Sequence, residues 1–152
     1  MEKAALRDEL RAQLVEALQR AEVAHAAATE GATHSEARAE NPKDTRGLEQ
    51  SYLARGQAQR VAELAAAVAA VDALALRAFA TADPVAMSAL VTVAEDGKRS
   101  RWFVAPAGGG NKLAGGVTVV TPDSPLGQAL LGKRAGDELE LGRRVIEIIA
   151  VT

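Results

Sequence analysis

Near Asp83-Pro84 the chain changes its periodicity, and that change limits what it can fold into. Before this point Ala, Leu, Glu, Arg and Gln predominate, residues that are good helix formers. Beyond it Val, Ile, Thr and Gly occur in short alternating runs, the pattern of strands and tight turns. A helical repeat does not settle as a strand, nor the reverse. The chain therefore divides into a helical first half and a β-rich second half, with the boundary at 79–85. The expected class is α+β, with a helical hairpin over 1–80 and a compact β domain over 84–152.

In the first half Leu10, Leu14, Ala17, Ala21, Ala24 and Ala28 recur at alternating spacings of four and three. On a helix such residues make one continuous apolar seam. Val61, Leu64, Val68, Val71, Ala75 and Ala78 make a second. Two helices with matching seams and a short connection pack as an antiparallel hairpin, a coiled coil within one chain. In Asn41-Pro42-Lys43-Asp44 a cap residue precedes proline at the first helical position and an acid at the third. The second helix is thus expected over 42–78. Gly31-Ala32-Thr33 weakens the first helix, which puts the tip of the hairpin within 31–44. At 1.5 Å per residue each arm reaches about 40 to 55 Å. The seams shrink from Leu and Val to Ala toward the tip, so the hairpin narrows like a probe.

The second half predicts strands over Met87–Ala94, Arg99–Ala105, Val117–Thr121, Glu138–Leu141 and Arg143–Val151. Glu95-Asp96-Gly97 is a hairpin turn signal. From Ser124 to Gly132 a serine cap, a proline and a closing glycine predict a short helix. Gly108-Gly109-Gly110-Asn111-Lys112 lacks the phosphate-loop pattern and is not followed by a helix start, so it reads as a loop between strands. Trp102 and Phe103 are adjacent on a strand, which directs one inward and the other outward.

Composition narrows the chemistry. A net charge of -2 gives no excess of cations to offset phosphates, which disfavours direct binding to free DNA or RNA. Aromatic residues are 3% of the chain, too few for a platform on which bases stack. Without cysteine there is no disulfide, thiolate metal site or cysteine nucleophile, and His25 and His34 leave little for a zinc site or a catalytic triad. The N-terminus carries charges every few residues, unlike a signal peptide, and no apolar stretch is long enough for a bilayer. The expectation is a soluble cytoplasmic monomer.

The segment from Thr121 to Glu138, containing SPLGQALLGKRAGD, resembles the C-terminal domain of the bacterial Gre transcript-cleavage factors. In that family a similar segment lies in an FKBP-like β domain. The order of parts is similar along the whole chain, and the motif itself lies within 117–151. The resemblance implies a transcription elongation factor for bacterial RNA polymerase rather than an enzyme. Its β domain would dock at the rim of the secondary channel, around Ser124–Asp137, with Ser124, Pro125, Gly127, Lys133 and Asp137 as candidate partner-binding residues. Its hairpin would reach the polymerase active site, where tip acids help hold a second magnesium ion and stimulate cleavage of backtracked RNA. Magnesium prefers hard oxygen ligands, and a second metal activates water and stabilises the leaving oxygen. The factor has no cofactor of its own in this scheme.

Gre factors carry a tip similar to Gly-Asp-Leu-x-Glu-Asn-Ala-Glu-Tyr, and the corresponding stretch here runs from Glu36 to Asp44. It keeps an acid pair and an asparagine, lacks the tyrosine, and spaces the acids by four rather than three. Glu40 and Asp44 are the candidate magnesium-directing acids, with Glu36 third. Asp44 also suits a capping box with Asn41, and the two roles are compatible. Arg38, Lys43 and Arg46 lie among these acids and read as surface charge. Two other functions stay open: a channel-binding regulator or inhibitor without cleavage stimulation, and an FKBP-like prolyl isomerase. Against the isomerase, the β domain has only Trp102 and Phe103 as aromatics after residue 83.

Overall fold

A computed structural model describes residues 2–38 and 46–152. Its elements are α1 (Glu2–Arg38), α2 (Arg46–Asp72), β1 (Leu90–Glu95), β2 (Lys98–Val104), β3 (Lys112–Leu113), β4 (Val117–Val120), α3 (Pro125–Leu130), β5 (Glu138–Leu141) and β6 (Arg144–Val151), with a 3-10 turn at Ala114–Gly116. The class is α+β, helices first and a six-stranded mixed sheet after them. Two compact units result: Gln13–Val68, and Met1–Ala12 together with Ala69–Thr152. The first three turns of α1 thus share a unit with the sheet.

Within the helical unit, Leu14, Ala21 and Ala28 of α1 and Leu64 of α2 are buried. The seam departs from the expected positions: half-buried Leu18 and His25 fall in the run Leu14, Leu18, Ala21, His25 and Ala28, and Ala24 is exposed. On α2 the half-buried Ala54, Gln57, Val61 and Val68 continue the same repeat around Leu64. The helix α1 passes through Gly31-Ala32-Thr33 and continues to Arg38, so the expected weak point does not end it. One glycine costs about 1 kcal/mol against alanine, which an alanine-rich neighbourhood offsets. The start predicted at Asn41-Pro42 lies outside the described residues. At its other end α2 stops at Asp72 rather than 78. The amide of Leu74 turns back to the carbonyl of Val71 (3.1 Å), Leu74 is buried, and the exposed Ala75 and Ala78 lie beyond the helix.

The strand order is β3-β4-β2-β1-β6-β5, with β2 and β4 parallel and every other pair antiparallel. Alternation sends Val91, Val93, Trp102 and Val104 to one face, where they join Leu130 of α3 and Leu139, Ile146 and Ile148 of the last two strands. Leu90, Phe103, Val117 and Val119 occupy the opposite face and are buried as well. Trp102 and Phe103 are therefore both inside, because both faces of this part of the sheet are covered. On the second face α1 is tied down by its own side chains. The Glu9 carboxylate accepts the Ala114 amide (2.9 Å), Glu2 pairs with Arg101, and Leu10 is fully buried. Gly108 admits Leu10: its φ is +80°, and a Cβ there would sit 2.6 Å from the leucine Cδ1. The glycine-rich stretch runs into β3 and is a loop between strands.

The first sheet strand begins at Leu90, later than the predicted Met87, because Ser88 has a left-handed φ of 72° that interrupts the extended run. Ser88 is completely buried, and its Oγ accepts the amide of Arg77 (3.0 Å) while its own amide bonds Val104 (3.0 Å). A left-handed non-glycine backbone costs about 1–2 kcal/mol, and an orphaned buried amide about 1–3 kcal/mol. Ser88→Gly relieves the first and suffers the second, so its urea midpoint should stay near wild type. Ser88→Ala keeps the strain and loses the acceptor, and should be the less stable variant by about 1–2 kcal/mol. Equal midpoints for the two variants would mean that the left-handed φ carries no strain, whereas a Ser88→Ala midpoint equal to that of wild type would mean that Ser88 Oγ does not hold the linker.

Among the described residues no helix is long and apolar enough to cross a membrane.

Candidate functional site

The segment singled out by sequence, Thr121–Glu138, is held by hydrogen bonds toward both ends and packed in its middle. Ser124 is extended (φ -72°, ψ 155°) and caps α3: its Oγ accepts the Gly127 amide (3.0 Å) and donates to the Thr121 carbonyl (2.7 Å). Pro125 follows in the first turn, where its missing N–H costs nothing. Gly127 passes so close to the preceding strand end that a Cβ would lie 1.9 Å from the Thr121 oxygen. Leu130 then enters the core.

Beyond α3 the chain turns at Gly132 (φ +82°), whose amide bonds the carbonyl of Val85 (2.9 Å), while Lys133 accepts the amide of Val85 (2.7 Å). This pairing fixes the motif to the segment that precedes β1. Asp137 closes the next turn: its carboxylate accepts the Arg134 amide (2.8 Å), and its carbonyl accepts Ile148 (2.8 Å).

Of the five candidate partner-binding residues, Ser124, Gly127 and Asp137 are engaged in shaping the segment itself. Pro125 is exposed and Lys133 half-buried, and the exposed Asp123 and Gln128 lie beside them. Sequence reasoning missed the part played by Thr121 and Val85, whose contributions are backbone carbonyls and amides without a side-chain signature. Glu40 and Asp44 lie outside the described residues. Glu36 falls in the last turn of α1. Among the described residues no three His, Asp or Glu side chains gather as a metal site.

Two ion clusters elsewhere in this unit are well defined. The Arg144 guanidinium holds both oxygens of Glu95 (2.9 and 2.7 Å), and that hydrogen bonding keeps the carboxyl below the usual carboxylate range. Lys3 and Arg77 lie 4.7 and 4.4 Å from the Phe79 ring centre. Partial burial, and then the charge of Arg77, lower the pKa of Lys3.

Residues 80–152 match the family described as "Transcription elongation factor, GreA/GreB, C-term". Among solved structures, GreA factor homolog 1 (Gfh1) of Thermus thermophilus is 22% identical, with 93% of this chain and 94% of that chain covered and a TM-score of 0.41. Thermus aquaticus Gfh1 is 19% identical, with 91% of each chain covered and a TM-score of 0.39. No curated protein matches the chain. Residues 80–152, just under half of the chain, are thus similar to the C-terminal domain of the GreA/GreB transcription elongation factors.

Proposed function

We propose that the protein binds bacterial RNA polymerase at the secondary channel, with the C-terminal domain docking at the rim and the helices entering toward the active site. The observation that carries this reading is the family match over 80–152, which contains the whole Ser124–Asp137 segment. Of the five candidate residues in that segment, Pro125 and Lys133 have side chains not engaged in shaping it, and Ser124, Gly127 and Asp137 present them. Once in the channel, Glu40 and Asp44 direct a second magnesium ion, and the factor stimulates cleavage of backtracked RNA by the polymerase. Carboxylates suit this ion, and the polymerase supplies the remaining ligands and the catalytic centre.

A specific observation favours a second reading. The acids are spaced by four, the tyrosine of the Gre tip is missing, and Arg38, Lys43 and Arg46 are interleaved with the acids. A channel-binding regulator that does not stimulate cleavage needs no such acid geometry.

The test is RNA cleavage by a backtracked bacterial elongation complex with and without the full chain, alongside competition with a labelled Gre factor for the same polymerase. Displacement with accelerated cleavage is expected. Displacement with unchanged or slower cleavage selects the regulator, and failure to displace removes both readings.

A further inference from the structure

The geometry points to an additional docking site at the outer edge of the sheet, where β5 takes up an extended basic–apolar–basic segment of another protein as a further strand. This inference rests on the sheet alone and is independent of polymerase binding.

Strand β5 ends the strand order, and its only strand neighbour among the described residues is β6. The register decides which backbone groups face outward. The Ile148 amide bonds the Asp137 carbonyl (2.8 Å), just outside the facing pair Glu138 and Glu147. In an antiparallel ladder a pair flanked in this way exchanges no hydrogen bonds of its own. The N–H and C=O of Glu138, and of Glu140 two residues on, therefore point away from β6. They form a row of donors and acceptors at the sheet edge, the template for an added strand.

Side chains specify the occupant. Leu139 turns into the core, while Glu138 and Glu140 are exposed on the opposite face. Beside this strand, on the α3 side, lies an open groove of roughly 530 Å³ lined by Ala129, Lys133, Glu138, Leu139 and Glu140. Because side chains alternate along a strand, the incoming residue level with Leu139 points toward Ala129 and the groove. Its two neighbours point to the other face, beside the glutamates. An apolar residue suits the groove, whose rim already carries the cation of Lys133. Lysine or arginine suits the flanking positions. Glu138 also stands directly opposite Glu147, and like charges in such a pair are unfavourable, so an incoming cation relieves a repulsion already present.

A second copy of the chain does not meet these requirements. Pairing β5 with β5 sets glutamates against glutamates, and the other sheet edge, β3, has only two residues. Charged edge strands commonly serve to repel other strands. Here the acids repel copies of this chain and acidic segments but attract a basic one.

The experiment uses the full chain and a short synthetic peptide of alternating lysine and valine. Amide exchange by NMR is followed with fluorescence anisotropy. Saturating peptide should slow exchange at the Glu138 and Glu140 amides by at least about tenfold, since each becomes hydrogen-bonded. Proline in place of the pairing residues should abolish binding. Glu138→Lys with Glu140→Lys should reverse the preference toward a glutamate–valine peptide by at least about tenfold, or about 1.4 kcal/mol. The inference is overturned if exchange at those amides is unchanged, if the proline peptide binds equally well, or if both amides are protected by self-association without peptide.

Discussion

Gly127→Ala is expected to unfold the C-terminal domain at room temperature or bring it close to unfolding. The added Cβ would lie 1.9 Å from the Thr121 oxygen and 2.8 Å from its carbonyl carbon. Both atoms are backbone, and the same carbonyl already accepts Ser124 Oγ (2.7 Å), so neither side can yield without breaking the cap. Overpacking of flexible side chains costs about 1–3 kcal/mol. A collision between two backbones lies at or above the top of that range, against a total stability of about 5–15 kcal/mol for an ordinary domain. Gly132→Ala is the control. Gly132 has a left-handed φ of +82° but nothing within 4 Å of its Cβ position, so only the backbone cost of about 1–2 kcal/mol applies. Urea denaturation followed by Trp102 fluorescence reads both. Equal losses would mean that the strand end at Thr121 can move aside. The comparison also bears on docking: binding lost by Gly127→Ala should track the folded fraction, whereas a direct contact would be lost from protein that is still folded.

The parts legible in the sequence were those where a side-chain pattern and a backbone pattern coincide. Strand β5 was read to the residue, and β6 to within one, because Leu139, Ile146 and Ile148 alternate with charged residues and the turn between them contains glycine. The helix α3 was legible from Ser124-Pro125 and Gly132, each of which has the backbone role its chemistry suggests. Elsewhere the deciding interaction was distant. Nothing local in alanine-rich sequence marks Asp72 as the end of α2; the linker amide of Arg77 finds its acceptor in Ser88 instead. The left-handed turn at Ser88 is equally silent, since serine is a common strand residue and its buried partners lie far along the chain. Alternating spacings of four and three place Ala24 in the seam, whereas the fold half-buries the neighbouring His25 and leaves Ala24 exposed. One of Trp102 and Phe103 was expected to face outward, as on a sheet with one solvent face; both are buried, and the first turns of α1 share their compact unit. For the candidate site, the motif located the segment but did not separate residues that shape it from residues that a partner can touch. That distinction needed the hydrogen bonds of Ser124 and Asp137.

If the acids direct magnesium, Glu40→Ala and Asp44→Ala should each reduce stimulated RNA cleavage by about 100-fold, while displacement of a labelled Gre factor from polymerase stays within about twofold. Loss of even an outer partner of a bound metal costs about 10–100-fold, and a lost carboxylate ligand should reach the upper end. Asp44 needs a finer variant, because an acid at the third helical position can also close a capping box with Asn41. Asp44→Asn keeps a side-chain oxygen for the cap but removes the charge. If capping is its only role, Asp44→Asn should cleave like wild type and Asp44→Ala should lose helicity along with activity. If it directs the metal, Asp44→Asn should fail as Asp44→Ala does, with helicity intact by circular dichroism, and raised magnesium should restore part of the rate. Glu40→Gln provides the same comparison without the cap. Should all of these variants match wild type while wild type itself leaves cleavage unchanged or slowed, the acids have no metal to direct. The interleaved Arg38, Lys43 and Arg46 then become the residues to replace, because a channel-occupying regulator depends on what its tip contacts rather than on what its carboxylates coordinate.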